Sequence, residues 1–327
     1  DPLWSRGLGD VYKRQTHVGG IVGRLNTGTL TNSTSSGAIN GVSNTGGMVG
    51  RLYYGSLTGS SSTSVVTGTG SNTGGLVGYL ENGSSKLNAS SHSVGLVKGA
   101  SYVGGLIGVS QGTVGETVLN NTPTYTTYVS SNLEASGNYV GGLIGSASGT
   151  VTNSSVSGTV TGVASAYGGT YFGGLIGESS ATSSWNRYIG SLVKGSHQTG
   201  GLIGRNNTAI SNSYSTGEVQ SNSSYVGGLV GWNNANITGT TSTVGSTTYA
   251  TGNVSGTDTV GGLLGYGEWS NSIINNTYAS GNVTGTSSIG GLVGYFYYYG
   301  QIQNSTAFGN VTGTSSVGGL LGQALIS

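Results

Sequence analysis

Metal chemistry needs His, Cys, Asp and Glu gathered at close spacing, and this 327-residue chain has no cysteine and three isolated histidines, His17, His92 and His197. A zinc-peptidase HExxH, which sets two histidines on one helical face with a glutamate as general base, does not occur. Nor does the GxSxG of a serine hydrolase or the GxxxxGK(S/T) loop that cradles phosphate. Glycoside cleavage needs two carboxylates facing each other. After residue 15 the acids are Glu81, Glu116, Glu134, Glu178, Glu218, Asp258 and Glu268, and only Glu116 and Glu134, eighteen positions apart, share one repeat unit. They read as solvated loop charges, with a polysaccharide-degrading enzyme kept as the alternative. The residues therefore predict no enzyme, no metal and no cofactor.

Aromatic side chains are the remaining groups suited to contact. A Tyr or Trp face fits a sugar ring or a partner's side chain, and the chain has 20 Tyr and 4 Trp. The candidates are Tyr79, Trp232, Tyr266 and Tyr295, which share one repeat position, then Tyr297, Tyr298 and Tyr299 in the run YFYYY, and Tyr125 and Tyr128 in the longest unit. Aromatics stacked between neighbouring strands would also strengthen a sheet with no ligand at all. Both readings stay open at this point.

The elements that carry these residues follow from composition and period. Glycine is 66 of 327 residues and charge only 6%, too few helix formers for helices. The apolar residues are mainly Val, Ile, Leu and Tyr, which favour strands. GGxxG begins at Gly19, Gly46, Gly74, Gly104, Gly141, Gly173, Gly200, Gly227, Gly261, Gly290 and Gly318, eleven copies with a modal spacing near 28 residues. The position before the pair is mostly β-branched, and Leu with Val, Ile or Leu fills the xx. Two weaker segments recur in each unit: an apolar-x-Asn-Ser corner, as at Ile302 to Ser305, and a GNVTG box, as at Gly281 and Gly309. One such unit cannot bury its apolar side alone, but stacked units bury it as continuous columns. The expected fold is all-β, a parallel β-helix (β-solenoid) of about eleven coils, each of about 28 residues and roughly three short strands. The glycine motif is read as one core strand, Phe296 to Tyr299 as the turn after its tenth copy, residues 116–135 as an excursion from the rod, and the repeated Asn as an amide ladder at one corner.

The repeat (V/I)GG(L/I)(V/I)G followed by (I/V)xNS and GNVTG resembles the GLUG motif over residues 16–327. That motif occurs in bacterial cell-surface proteins, among them filamentous-haemagglutinin-like adhesins and the non-catalytic regions of immunoglobulin A1-cleaving metallopeptidases. The resemblance implies an extracellular or cell-surface bacterial β-solenoid, a stalk or adhesive surface whose partners are host or environmental glycans or proteins. It also leaves open an accessory region of a surface metallopeptidase. Scattered basic residues and the absence of a long apolar run predict neither nucleic-acid binding nor membrane insertion.

Residues 5–15, SRGLGDVYKRQ, share nothing with the repeat and resemble the in-frame translation of a transposon-end sequencing adapter. Residues 1–15 are set aside from the fold, and the reading frame is expected to derive from fragmentary DNA, a piece truncated at both ends. Without them the chain carries seven basic (10 − 3) and seven acidic (9 − 2) residues and is neutral.

Overall fold

The computed structural model describes residues 15–88, 92–116, 125, 127–162, 170–240, 247–268, 272–298 and 300–325. The adapter-like segment up to residue 14, residues 117–124 and 126 of the expected excursion and Tyr299 lie outside the described residues. Every described element is a strand, and no helix is long and apolar enough to cross a membrane. The chain winds as a parallel β-solenoid in which each strand pairs with its equivalent one repeat away. Val18 lies beside Thr45, Thr45 beside Thr73, and so on to Ile289 beside Val317.

Each coil has four sides. A glycine-pair sheet of eleven strands runs from Val18–Gly19 to Ser315–Gly318. A broad sheet follows, whose two ladders are joined in the first coils by the ten-residue strands Val22–Thr31 and Val49–Thr58 and are separate afterwards, as in Val77–Leu80 and Lys86–Asn88. A serine sheet of ten strands runs from Thr34–Ser35 to Thr306–Ala307. A valine sheet of ten runs from Ala38–Gly41 to Val311–Thr312. The expected three strands per coil are corrected to five in most coils, arranged on four sides. The serine strands escaped because they are two or three small or polar residues with no apolar period, and they are held by their neighbours in the stack.

The glycine motif is a corner joining two sheets, where a single strand was expected. Leu76 takes two hydrogen bonds on its carbonyl, from the N–H groups of Met48 and Val49, both at 3.0 Å, and the next coils repeat the pattern. Such a sharp bend leaves no room for side chains. A Cβ on Gly46 would meet the Val49 carbonyl, one on Gly47 the Gly75 carbonyl and the Ser62 hydroxyl, and one on Gly50 would lie 2.5 Å from Val18 N. All three glycines are thus excluded from substitution by close approach of backbone.

Inside, the motif's leucines form a column from Met48 to Leu292 with no exposure, ending in Ile21 at 44% and Leu320 at 39% where the stack stops. Val66, Val97, Val160, Val193 and Val283 line the opposite wall. Each buried Val or Leu is worth about 1.5–3 kcal/mol, so stability accrues coil by coil. Across the narrow part of the core the second glycine of each pair faces a serine-sheet residue, mostly small: Ser62, Ala250 and Ala279 face Gly47, Gly228 and Gly262. Tyr188 is the large exception, fully buried against Gly174, with its hydroxyl donating to Leu192 O at 2.7 Å.

Candidate functional site

Two columns flank the glycine corner. The first is the residue after GGxxG, and its register is continuous: Glu178 beside Arg205, Arg205 beside Trp232, Trp232 beside Tyr266, Tyr266 beside Tyr295, Tyr295 beside Gln323. The second lies two residues before the pair and includes Tyr102, Tyr139, Tyr171, Gln198 and Tyr225. Here the chain must reverse into the glycine-pair strand, and it does so through the left-handed region: φ is 64° at Asn72, 54° at Tyr102, 62° at Tyr139 and 62° at Tyr225. Asn tolerates that conformation; a bulky aromatic pays about 1 kcal/mol or more.

The columns merge into one aromatic strip. Tyr102 stacks on Tyr139 at 4.3 Å, and Tyr139 meets Tyr171 edge-on at 5.0 Å. The Arg205 guanidinium then lies 5.3 Å from the Tyr171 ring and 4.5 Å from that of Trp232, and its Nη1 donates to Tyr171 OH at 2.9 Å. Tyr225 lies 4.8 Å from Tyr266, which stacks on Tyr295 at 5.5 Å and on Tyr297 at 6.5 Å. From Tyr102 to Tyr295 the strip crosses six coil intervals, roughly 29 Å at about 4.8 Å each.

The structure brings Trp232, Tyr266, Tyr295 and Tyr297 together as one surface, but Trp232 is only 7% exposed. Arg205 covers one of its faces, so its indole is not the open platform expected of a solvent-facing corner. Phe296 is likewise corrected: it is a buried strand residue beside Gly267, since the strand Val293–Tyr297 runs through the expected turn. Tyr298 is exposed and meets Tyr297 edge-on at 4.2 Å. Tyr79 stands apart near Arg51, which is ion-paired to Glu81. Tyr125 lies 3.7 Å from the Arg187 guanidinium, and Tyr128 is an exposed serine-sheet residue whose hydroxyl shares a 2.6 Å hydrogen bond with Ser157.

A second ladder was missed. Tyr214, Tyr249 and Tyr278 stack on the serine sheet at 4.6 and 4.9 Å, with planes 8° and 11° apart, and Arg187 Nη1 donates to Tyr214 OH at 3.3 Å. The signal was present: NSYSTGEV, TTYATGNV and NTYASGNV place a tyrosine three residues before the glycine of the valine-strand box. The repeated Asn beside it, at Asn32, Asn153, Asn212, Asn276 and Asn304, has φ between 42° and 55°. These residues serve the corner by adopting the left-handed region. An amide-to-amide bond occurs at this corner, from Asn304 to Asn275 at 3.2 Å, and others at Asn72 to Asn44 and at Asn206 to Asn233, both 2.7 Å.

Parallel stacking decides what these ladders can do. Each ring covers its neighbour's face, so the surface presents ring edges and hydroxyls, with open faces only at tilted members and at ladder ends. Burial, with Tyr102 and Glu178 nearby, pushes the Tyr139 phenol up to about 12. Burial, followed by Glu268, also raises Tyr266. Burial raises the Glu178 carboxyl against the opposing pull of Arg205, 3.8 Å away, and lowers His197. Three buried polar atoms near the middle of the strip, His197 Nδ1, Gln198 Oε1 and Arg205 Nε, have no hydrogen-bond partner in the structure, a place where an added donor or acceptor would be taken up.

The two glutamates of the longest unit stand on different sides of the coil. Glu134 stands on the valine sheet, 2.9 Å from Lys98 Nζ. Glu116 follows the strand Thr113–Val114 on another side of the coil, and its carbonyl accepts from Thr152 Oγ1. Among the described residues no three His, Cys, Asp or Glu side chains gather as a metal site.

A stack of equivalent coils in continuous parallel register defines a structural repeat region of the β-solenoid class. Four segments match the GLUG motif: residues 15–40, 136–161, 195–220 and 285–312. Each begins four or five residues before a glycine pair and ends on a valine strand, so each match is one coil cut at the same phase. No curated protein and no solved structure matches the chain.

Proposed function

We propose that this chain is a non-enzymatic structural and adhesive segment of a secreted or cell-surface bacterial protein, a rod that acts as stalk and binding surface. The supporting observation is the uninterrupted register of the glycine-pair sheet through eleven strands. In such a stack a bend must break hydrogen bonds in several ladders at once, which is what a spacer projecting a contact surface requires. Three tyrosines held at positive φ where other coils use Asn, Gln, Ser or Thr favour an adhesive role for the corner, since backbone strain at half-buried aromatics is a cost that ladder packing only partly offsets. Repetition along the rod would add avidity to individually weak contacts. An antibody against the chain is expected to label intact, unpermeabilised source cells or their medium. Labelling that appears only after permeabilisation would contradict the surface reading.

A further inference from the structure

Asparagine followed by glycine occurs twice in the chain, at Asn40–Gly41 and at Asn82–Gly83. Such a pair carries a chemistry of its own, because glycine has no side chain to shield its nitrogen from the carbonyl carbon of the asparagine side chain. The letters rank the two sites equally. The fold separates them.

Asn40 lies inside the strand Ala38–Gly41, in register with the next coil, Asn40 beside Thr67 and Gly41 beside Gly68. Turning the Gly41 nitrogen onto its neighbour's side chain would break that pairing. Asn82, with φ at 77°, opens the turn between the broad-sheet strands Val77–Leu80 and Lys86–Asn88, which is closed by the Ser85 N–H donating to Asn82 O at 3.0 Å. Gly83 and Ser84 are exposed, and a Cβ on Gly83 would meet nothing nearer than Gln111 O at 4.0 Å. The Gly83 N–H has no hydrogen-bond partner among the described residues. At the repeated corner asparagines the N–H that follows is held: Ser33 donates to Ser60 Oγ at 3.3 Å, Ser154 to Asn186 Oδ1 at 3.1 Å and Thr277 to Ser305 Oγ at 3.1 Å. The attacking nitrogen is therefore free after Asn82 and tied down at those corners.

The group it would attack is prepared as well. The Ser84 N–H donates to Asn82 Oδ1 at 2.9 Å, which draws electron density from Cγ and steadies the oxyanion that forms there. We infer that Asn82 is a site of spontaneous deamidation, converted through a cyclic imide to aspartate and isoaspartate. The Gly83 nitrogen gives its proton to a solvent base and bonds to Asn82 Cγ. The Cγ–Nδ2 bond then breaks, and ammonia leaves with a proton from water. A water molecule opens the imide at either carbonyl, so the balance is one water in and one ammonia out, with no oxidant or reductant. The product adds a carboxylate next to Glu81, which is ion-paired with Arg51 beside the Tyr79 ring, so the charge of this face changes with the age of the molecule. In the isoaspartate form the main chain also gains one atom, which the open space around Gly83 accommodates.

This inference does not depend on the proposed function. Its test ages the full chain in mildly acidic and mildly alkaline buffer and follows each asparagine by peptide mass spectrometry, with enzymatic methylation of isoaspartate as a second readout. Asn82 is expected to gain one dalton at a rate tenfold or more above that of Asn40, and faster in the alkaline buffer, since the attacking nitrogen must lose its proton. In chain unfolded by urea the two sites are expected to react at similar rates, which assigns the difference to the fold. Gly83→Ala is expected to slow conversion at residue 82 tenfold or more while circular dichroism stays unchanged. Asn40 reacting as fast as Asn82 in the folded chain, Asn82 staying intact there while it reacts in urea, or a Gly83→Ala variant that converts at the original rate would each overturn the inference.

Discussion

An alanine at Gly142 would set its methyl carbon against the carbonyl oxygen of Gly174 and 2.8 Å from Val156 Cγ1. Neither can retreat, since the carbonyl belongs to the next coil's corner and Val156 is fully buried. Gly142→Ala should therefore cost about 1–3 kcal/mol and lower the thermal midpoint. Gly83→Ala, where the nearest atom is Gln111 O at 4.0 Å, should leave it almost unchanged. Equal effects at the two sites would mean that the motif's glycines serve flexibility and not close packing. The GGxxG letters were legible in the sequence as punctuation. Their cause was not, because the clashing atoms belong to coils about 28 residues away and meet only after stacking. The same holds for Asn32 and its equivalents: repetition marked them as structural, and only the backbone angle shows that they also hold the corner in the left-handed region.

Tyrosine ladders make the sides of the rod sensitive to alkali. Tyr125 and Tyr139 are each pushed up to about 12, chiefly by burial, and burial also raises Tyr188, Tyr249 and Tyr266. For a phenol whose folded pKa lies above its unfolded value, the stabilisation is complete below the unfolded pKa near 10 and is lost as pH rises through the folded one. Stability should thus hold to about pH 10 and fall through pH 12, with the raised tyrosines ionising together as the chain unfolds. Phenolate absorbance recorded beside circular dichroism checks this. All tyrosines titrating near pH 10 with the fold retained would show that the ladders are open to water. The corner ladder was half legible, since Trp232, Tyr266 and Tyr295 share a fixed offset after the motif. Tyr102, Tyr139 and Tyr225 share one too, but that column also holds Asn, Gln, Thr and Ser, and no hydropathy pattern marks a position chosen for backbone angle. The serine-sheet ladder was passed over for a related reason: its strands are two residues long and carry no apolar period of their own.

At the scale of the whole molecule the account rests on equivalence of coils. All-β class, unit length and parallel stacking were readable from eleven copies of one motif, because a unit that cannot bury its own apolar side leaves stacking as the solution. The four-sided cross-section was not readable, since the strands of one side are only two or three residues long and carry no apolar period. Equivalence is testable by surgery. Gly200 and Gly290 occupy the same position in their coils, as the register from Gly200 through Gly227 and Gly261 to Gly290 shows. Deleting residues 200–289 removes three whole coils and rejoins the chain in phase. Small-angle X-ray scattering on the full chain and on this deletion tests the central claim most directly. The full chain should scatter as a rod roughly 50 Å long, and the deletion as a rod of the same cross-section shortened by roughly 14 Å, at about 4.8 Å per coil. A deletion that unfolds, or one that shrinks in all dimensions while its length-to-width ratio stays the same, would contradict a solenoid of interchangeable coils.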